Sequence, residues 1–201
     1  MTMKDKTIQP RSPTISMVLS ILLILILMTI QTIFSQQFMA GMIISVLISI
    51  GIAIWGYKRN ELIHDSHVTL RTKLFNLLLG ILGISIITVC YAGLSHHSIF
   101  THLYMVAPIG FIIYTCVIAP ILEEIIYRQT LYSEWLINRG SIVGAVLSGF
   151  MFVFIHFPGN VLSLMFYILS TTVIYIVYIR SGKDIRVTML LHLMNNIIIL
   201  L

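Results

Sequence analysis

Two adjacent glutamates and an arginine stand in the stretch PILEEIIYRQ, residues 120–129, directly after a long apolar run. A carboxylate in such surroundings can accept a proton from water, as the first step of a hydrolysis requires. Glu124 and Arg128 are four residues apart with the acid first, which is the favourable order for an ion pair on a helix. A solvated loop would carry the same three charges at little cost, so this motif alone does not identify a site.

A histidine follows at a matching distance along the chain. The apolar pattern continues past the glutamates to NRG, residues 138–140, and predicts one helix that Pro120 kinks without ending. Glu123 and His156 are each about 16 residues from this turn, so at about 1.5 Å per residue each lies about 24 Å from it. Two antiparallel helices would hold them at one level. Phe152 and His156, four residues apart in FMFVFIH, share a helical face, although a single histidine at a helix end is more often a packed residue.

The last apolar segment, VTMLLHLMNNIIILL, carries three polar side chains within about one helical turn. His192 and Asn196 are four residues apart and share a face, with Asn195 beside them. Polar groups in a membrane helix are costly, and they usually face the bundle interior or a water-filled cavity. Asparagines also join helices by hydrogen bonds, which is the alternative for Asn195.

These side chains together form a set that could hydrolyse a peptide bond. A glutamate can take a proton from water, a histidine can orient that water, and an amide or imidazole can stabilise the oxyanion. Glu123, His156 and His192 are also candidate zinc ligands, because two histidines and a carboxylate leave one coordination position for water. Zinc and a metal-free glutamate mechanism both remain open. The sequence contains neither an HExxH helix nor a GxSxG elbow.

The composition excludes a soluble protein. Of 201 residues, 58% are hydrophobic and only 9% are charged, with a mean hydropathy of +1.01, whereas soluble domains carry about 25% charged residues. The formal charge of +5 is spread between apolar runs, so nucleic acid is not expected as a partner. The lipid bilayer is the expected environment.

The expected fold class is all-α, a polytopic membrane bundle of about seven transmembrane helices. Each apolar segment approaches the roughly 20 residues that span the hydrocarbon. The segments lie near residues 15–35, 38–57, 75–95, 103–122, 141–157, 161–179 and 186–201. The polar stretch between the second and third segments, residues 58–74, is expected to lie on the membrane surface as an amphipathic helix.

The basic residues predict the orientation. With the N-terminus inside and the segments alternating, all 12 lysines and arginines fall on the inner side. Basic residues favour the cytoplasmic side, which predicts a multi-pass protein of the cell membrane with a cytoplasmic N-terminus. The loops predicted to lie outside, SQQ, SHHSIFTH and FPGN, carry none.

The motifs EEIIYR, FVFIH and HLMNN, in this order, resemble those of the CPBP or Abi family of intramembrane proteases. This family includes CAAX prenyl endopeptidases and bacteriocin-processing enzymes and is commonly called a metalloprotease family. The resemblance covers residues 103–201, which it identifies as a catalytic membrane domain. It leaves 1–102 as N-terminal transmembrane helices with a short cytoplasmic N-terminus.

The resemblance also implies a role for each motif residue. Glu123 would activate water with help from His156, and the oxyanion would be stabilised by two residues of the last helix, His192 and Asn196. The implied supporting residues are Glu124, Arg128, Phe152 and Asn195.

Three functions therefore remain. The first is an endopeptidase that cuts a membrane-associated peptide or protein tail near the cytoplasmic face. The second is a catalytically silent scaffold, immunity factor or regulator of a membrane-protein partner. The third is a small transporter that uses Glu123 and His156 as a proton relay. The intact set of four catalytic candidates favours the first, and their clustering at one depth weakens the third.

Overall fold

A computed structural model describes residues 12–35, 39–65, 67–95 and 109–200 of the chain. These ranges are largely helical and contain no β-strand. The helices are α1 Pro13–Ser35, α2 Met39–Ile63, α3 Leu70–Ser95, α4 Ile109–Trp135, α5 Ser141–Ile155, α6 Val161–Arg180 and α7 Ile185–Leu200. The predicted all-α membrane bundle of about seven helices is confirmed.

Five of these helices, α1, α2, α3, α4 and α6, are long and apolar enough to cross a membrane. The other two are shorter. The 15 residues of α5 extend over about 22 Å, less than the roughly 30 Å of hydrocarbon in a bilayer. Apart from Ser35 and Ser95, which end α1 and α3, the loops SQQ and SHHSIFTH lie outside the described residues, as do the first residues of the predicted segment 103–122.

The prediction of an amphipathic surface helix at residues 58–74 is wrong. Helix α2 continues to Ile63 and α3 begins at Leu70, so only a short connection separates two long helices. The two helices continue into this polar stretch because its side chains pair with distant parts of the chain. Arg59 pairs with Glu134 at 2.8 Å, an interaction that local hydropathy cannot reveal.

Three connections that were predicted to lie inside meet at one end of the bundle. The backbone N–H of Asp65 donates to the carbonyl of Gly182 at 2.7 Å, which joins the α2–α3 connection to the α6–α7 connection. The Arg59–Glu134 pair brings the end of α4 to the same place. This arrangement agrees with the predicted alternation of the segments. Gly182 has φ +71°, a conformation that favours glycine at this turn.

Asp184 is the centre of the polar network at that end. Its carboxylate accepts hydrogen bonds from Asn60 at 3.0 Å, Lys73 at 2.7 Å and Arg186 at 2.8 Å. Burial alone would raise the pKa of Asp184, but hydrogen bonds from Arg186, Lys73 and Asn60 outweigh it and hold the pKa well below its usual range. The network ties α2, α3 and α7 together.

Helix α4 continues through Pro120, as predicted. A proline inside a helix lacks an N–H and its ring collides with the carbonyl four residues earlier. The turn before it, Tyr114–Ile118, is π-helical and therefore wider than an α-helical turn. The N–H of Ala119 donates to the carbonyl of Tyr114, five residues back. A second wide stretch, Glu124–Trp135, follows. Such wide turns are rare and often occur at functional sites.

The α4–α5 hairpin closes tightly. A 3₁₀ turn, Leu136–Arg139, leads to Gly140, whose φ of +102° suits a residue without a Cβ. A Cβ on Gly144 would lie 2.9 Å from the carbonyl oxygen of Leu136, so this approach of α5 to the end of α4 also depends on glycine.

Two apolar clusters hold the helices on either side of a cavity. One joins α1 to α4 and α5 and includes Leu27 and Leu122. The other joins α3 to α6 and α7 and includes Ile84, Ile174 and Leu191. The cavity between them is where the predicted functional side chains lie.

Candidate active site

The two glutamates of α4 point into different surroundings. Glu124 is fully buried, whereas the side chain of Glu123 retains 12% of its exposure and lines the cavity. They stand where the ordinary turn Ala119–Glu123 gives way to the wide stretch Glu124–Trp135. Glu123 is therefore the carboxylate that a substrate can reach, and Glu124 supports the site from beneath.

Arg128 is fully buried and forms the predicted ion pair. Its Nη1 lies 3.2 Å from Oε1 of Glu124, and neither side chain is exposed. The guanidinium stands between two aromatic rings, with its Cζ 4.4 Å from the ring centre of Phe152 and 4.9 Å from that of Tyr175. Aromatic faces attract a cation most strongly where water is excluded. The rings fix the arginine, which in turn fixes Glu124.

His192 joins the two glutamates. Its Nδ1 lies 2.9 Å from Oε1 of Glu124, and its Nε2 lies 3.6 Å from Oε2 of Glu123. An ionised carboxylate only accepts hydrogen bonds, so the nitrogen facing Glu124 is assigned as Nδ1–H. This contact orients the ring and directs Nε2 towards Glu123 and the cavity. Glu124 therefore contacts both Arg128 and His192.

His156 is positioned by the end of α5. Its Nδ1 donates to the carbonyl of Phe152 at 2.7 Å, which leaves Nε2 as an acceptor. The imidazole lies against two rings, with centroids 4.6 Å from Phe152 and 4.7 Å from Tyr167. Phe152 also contacts His192, at 5.7 Å between ring centres. The two histidines therefore flank one phenylalanine.

The asparagines of α7 connect the last helix to α4. Asn196 donates through Nδ2 to the carbonyl of Thr115 at 2.8 Å, within the first wide turn. Asn195 donates to Oδ1 of Asn196 at 3.1 Å. The amide nitrogen of Asn196 carries two hydrogens, so one N–H remains beyond the bond to Thr115.

A cavity of about 310 Å³ collects these groups. Its lining includes six of the predicted residues, Glu123, Phe152, His156, His192, Asn195 and Asn196. The other two, Glu124 and Arg128, are fully buried. The structure thus brings the predicted set together, and the catalytic and supporting roles of its members stay predictions.

The three candidate zinc ligands do not form a metal site. Among the described residues, no group of three or more His, Cys, Asp and Glu side chains is spaced to hold a metal ion. Glu123 and His192 are neighbours, but no third ligating side chain of the described residues stands close enough to both to complete a site. These residues do not fit zinc, so the chemistry is derived from the side chains alone.

Sequence reasoning missed part of the site. The cavity wall also contains Leu27 and Gln31 of α1, and Ser170 and Thr171 of α6. The adjacent hydroxyl residues of LSTT, in an otherwise apolar segment, were the signal available for α6. The contact between Glu124 and His192 had no local signal, because 68 residues separate them in the chain.

Comparison with known protein families identifies the second half of the chain. Residues 105–198 match the family described as type II CAAX prenyl endopeptidase Rce1-like. The matched segment contains all three motifs and confirms the resemblance to the CPBP or Abi family. No curated protein and no solved structure matched the chain.

Proposed function

We propose that this multi-pass membrane protein, whose residues 105–198 match the family of type II CAAX prenyl endopeptidases described as Rce1-like, is a member of that family and cuts its substrate with a glutamate-activated water. The substrate is a membrane-associated peptide or protein tail, cut near the cytoplasmic face. The observation that carries the proposal is Glu123, a partly exposed carboxylate that opens into the cavity with His192 Nε2 at 3.6 Å.

The reaction begins with proton transfer. Glu123 takes a proton from a water molecule, and the hydroxide attacks the carbonyl carbon of the scissile peptide bond. His156 orients that water, since its Nε2 is free to accept a hydrogen bond. When the tetrahedral intermediate collapses, the C–N bond breaks and Glu123 returns the proton to the leaving amine.

The oxyanion is stabilised from α7. Asn196 donates its remaining amide N–H, and His192 donates through Nε2 when its ring carries both protons. Glu124 and Arg128 hold His192 in place from beneath the cavity. Preorganised donors of this kind lower the barrier because they need no rearrangement during the reaction.

The experiment compares newly formed peptide termini in the membrane proteomes of four strains. They are wild type, a deletion strain, and the deletion strain carrying Glu123→Gln or Glu61→Gln. Glu123→Gln keeps the size of the side chain but removes the base, so cleavage should fall about 100- to 10,000-fold while the protein still accumulates. Glu61 is exposed at the end of α2, away from the cavity, and Glu61→Gln is the matched control that should cleave like wild type.

Further variants separate the roles of the other residues. His156→Ala should reduce cleavage about as much as Glu123→Gln, because water loses its second partner. His192→Ala and Asn196→Ala should each cost about 100-fold through loss of an oxyanion donor. Full complementation by all four variants would instead support a scaffold. Loss of proton-coupled uptake with unchanged termini would support a transporter.

The location that we propose is the cell membrane, with the N-terminus in the cytoplasm. Single cysteines at His67 and Gly159, introduced after replacement of Cys90 and Cys116, test this orientation. His67 is exposed, and a Cβ on Gly159 meets no neighbouring atom, so both positions tolerate cysteine. An impermeant thiol reagent added to intact cells should label position 159 alone. Labelling at position 67 would show that the protein has the opposite orientation.

A further inference from the structure

Three hydrogen-bonding atoms in the cavity wall take no part in the proposed reaction. They are Oγ of Ser170, Oγ1 of Thr171 and Oδ1 of Asn195, and all three residues line the cavity. Their residues are only 4–6% exposed, and none of the three atoms has a hydrogen-bond partner among the described residues. Buried polar atoms are normally hydrogen-bonded, so we expect these three to bond a molecule that enters the cavity.

The hydroxyls of Ser170 and Thr171 differ from that of the next residue on α6. Serines and threonines in helices commonly bond the carbonyl four residues earlier. Thr172, the next residue, does so with the carbonyl of Ile168 at 2.8 Å. Ser170 and Thr171 make no such bond and therefore keep their hydroxyls available in the cavity wall.

The chemistry of the three atoms indicates what they bind. A hydroxyl both donates and accepts. Asn195 uses its Nδ2 on Asn196, so its Oδ1 can only accept. A peptide main chain presents carbonyls that accept and N–H groups that donate, which matches this set. A carboxylate would satisfy the two hydroxyls but would face Oδ1 of Asn195 with another acceptor.

We propose that Ser170, Thr171 and Asn195 form a subsite that binds the main chain of the substrate beside the scissile bond. The two hydroxyls donate to substrate carbonyls, and Oδ1 of Asn195 accepts from a substrate N–H. Phe166 and Ile174, in the same wall, contact the apolar side chains of the peptide. This inference rests on the proposed peptidase function and identifies the part of the substrate that the site recognises.

The test uses a peptide that covers a cleavage site found in the proteome comparison. Ser170→Ala and Thr171→Val should each raise KM several-fold, to about 10-fold, with a smaller change in kcat, because a neutral hydrogen bond is lost. Thr172→Val is the matched control, since that hydroxyl is already bonded within its own helix, and it should behave like wild type. Equal KM for all three variants would overturn the subsite.

A second substrate tests the acceptor directly. In a copy of the peptide, one main-chain amide beside the scissile bond is replaced by an ester, which removes the N–H. For wild type, kcat/KM should be about 10-fold lower on one such ester than on the amide peptide. For Asn195→Leu, kcat/KM on the amide peptide should already be about 10-fold below that of wild type, and it should not fall further on the ester. Independent losses from the variant and the ester would contradict the assignment.

The same assay separates this inference from the function beneath it. If Glu123→Gln is inactive and the three subsite variants match Thr172→Val, the peptidase stands and the subsite fails. If Glu123→Gln cleaves like wild type, both fail. Should Asn195→Leu not accumulate, the KM values of Ser170→Ala and Thr171→Val decide the question.

Discussion

Replacing Arg128 with alanine removes one half of an ion pair that lies out of reach of water. Both Arg128 and Glu124 are 0% exposed, and the guanidinium also lies between the rings of Phe152 and Tyr175. The variant therefore leaves the charge of Glu124 buried without its cation, beside the imidazole of His192. It also removes the cation from between the two rings.

The size of the effect follows from that burial. Losing one member of a buried pair costs about 3–5 kcal/mol, whereas an exposed pair is worth about 1 kcal/mol or less. A desolvated contact between a cation and an aromatic ring adds about 2 kcal/mol. Because domains are stable by only about 5–15 kcal/mol, Arg128→Ala should remove a large part of the stability.

The assay follows thermal unfolding of the detergent-solubilised protein, together with its abundance in the membrane. Four proteins are compared with wild type: Arg128→Ala, Arg128→Gln, Glu124→Gln and the double variant Glu124→Gln/Arg128→Gln. The double variant should recover part of the stability that Arg128→Gln loses, because no charge is then left unpaired. Arg71→Ala, at an exposed position on α3, is the control and should change stability by about 0.5 kcal/mol or less.

Two results would refute this reasoning. Equal abundance and unfolding temperature for wild type and Arg128→Ala would mean that the pair is solvated. Additive losses in the double variant would mean that Glu124 and Arg128 do not interact.

Three other perturbations test separate features. Asp184→Asn should lower the unfolding temperature at neutral pH, because the ionised carboxylate contributes stability at every pH above its unfolded pKa. The difference from wild type should shrink as the pH falls below about 4, towards the lowered pKa of the folded state. A difference that grows in acid would contradict this. Gly80→Ala should be about 1–3 kcal/mol less stable than Gly83→Ala, because a Cβ at position 80 falls 2.8 Å from Leu191 whereas one at position 83 has ordinary contacts at 3.6 Å; equal unfolding temperatures would show that Leu191 moves aside freely. Treating the purified protein with a chelator should leave peptide cleavage unchanged, and activity lost to the chelator and restored by zinc would contradict the side-chain mechanism.

Short-range spacing predicted the parts of the site that lie on single helices. Four-residue separations correctly placed Arg128 beside Glu124 and Phe152 beside His156, because such residues are neighbours on a helix. Glu123 and His156 were expected at one level because they are equally far from one turn, and both line one cavity. These features depend on helix geometry alone.

Contacts between helices that are distant in the chain could not be predicted from spacing or hydropathy. Hydropathy treated residues 58–74 as an exposed stretch, because it cannot register that Arg59 meets a carboxylate 75 residues later. The ring of Tyr175 beside Arg128 and the carbonyl of Thr115 beside Asn196 had no local signal either. The division of the chain at residue 102 stays a prediction, as does the cytoplasmic N-terminus.

The network around Asp184 has a consequence for how the chain is made. The partners of Asp184 on α2 and α3, Asn60 and Lys73, are synthesised 124 and 111 residues earlier. At about 5–20 residues per second, a ribosome needs roughly 6–25 s to cover that interval. During this time the two side chains have emerged without their carboxylate, so the ends of α2 and α3 have to stay hydrated at the membrane surface. Assembly of this end of the bundle therefore waits for the start of the final helix, and a ribosome that stalls before residue 184 leaves an open intermediate.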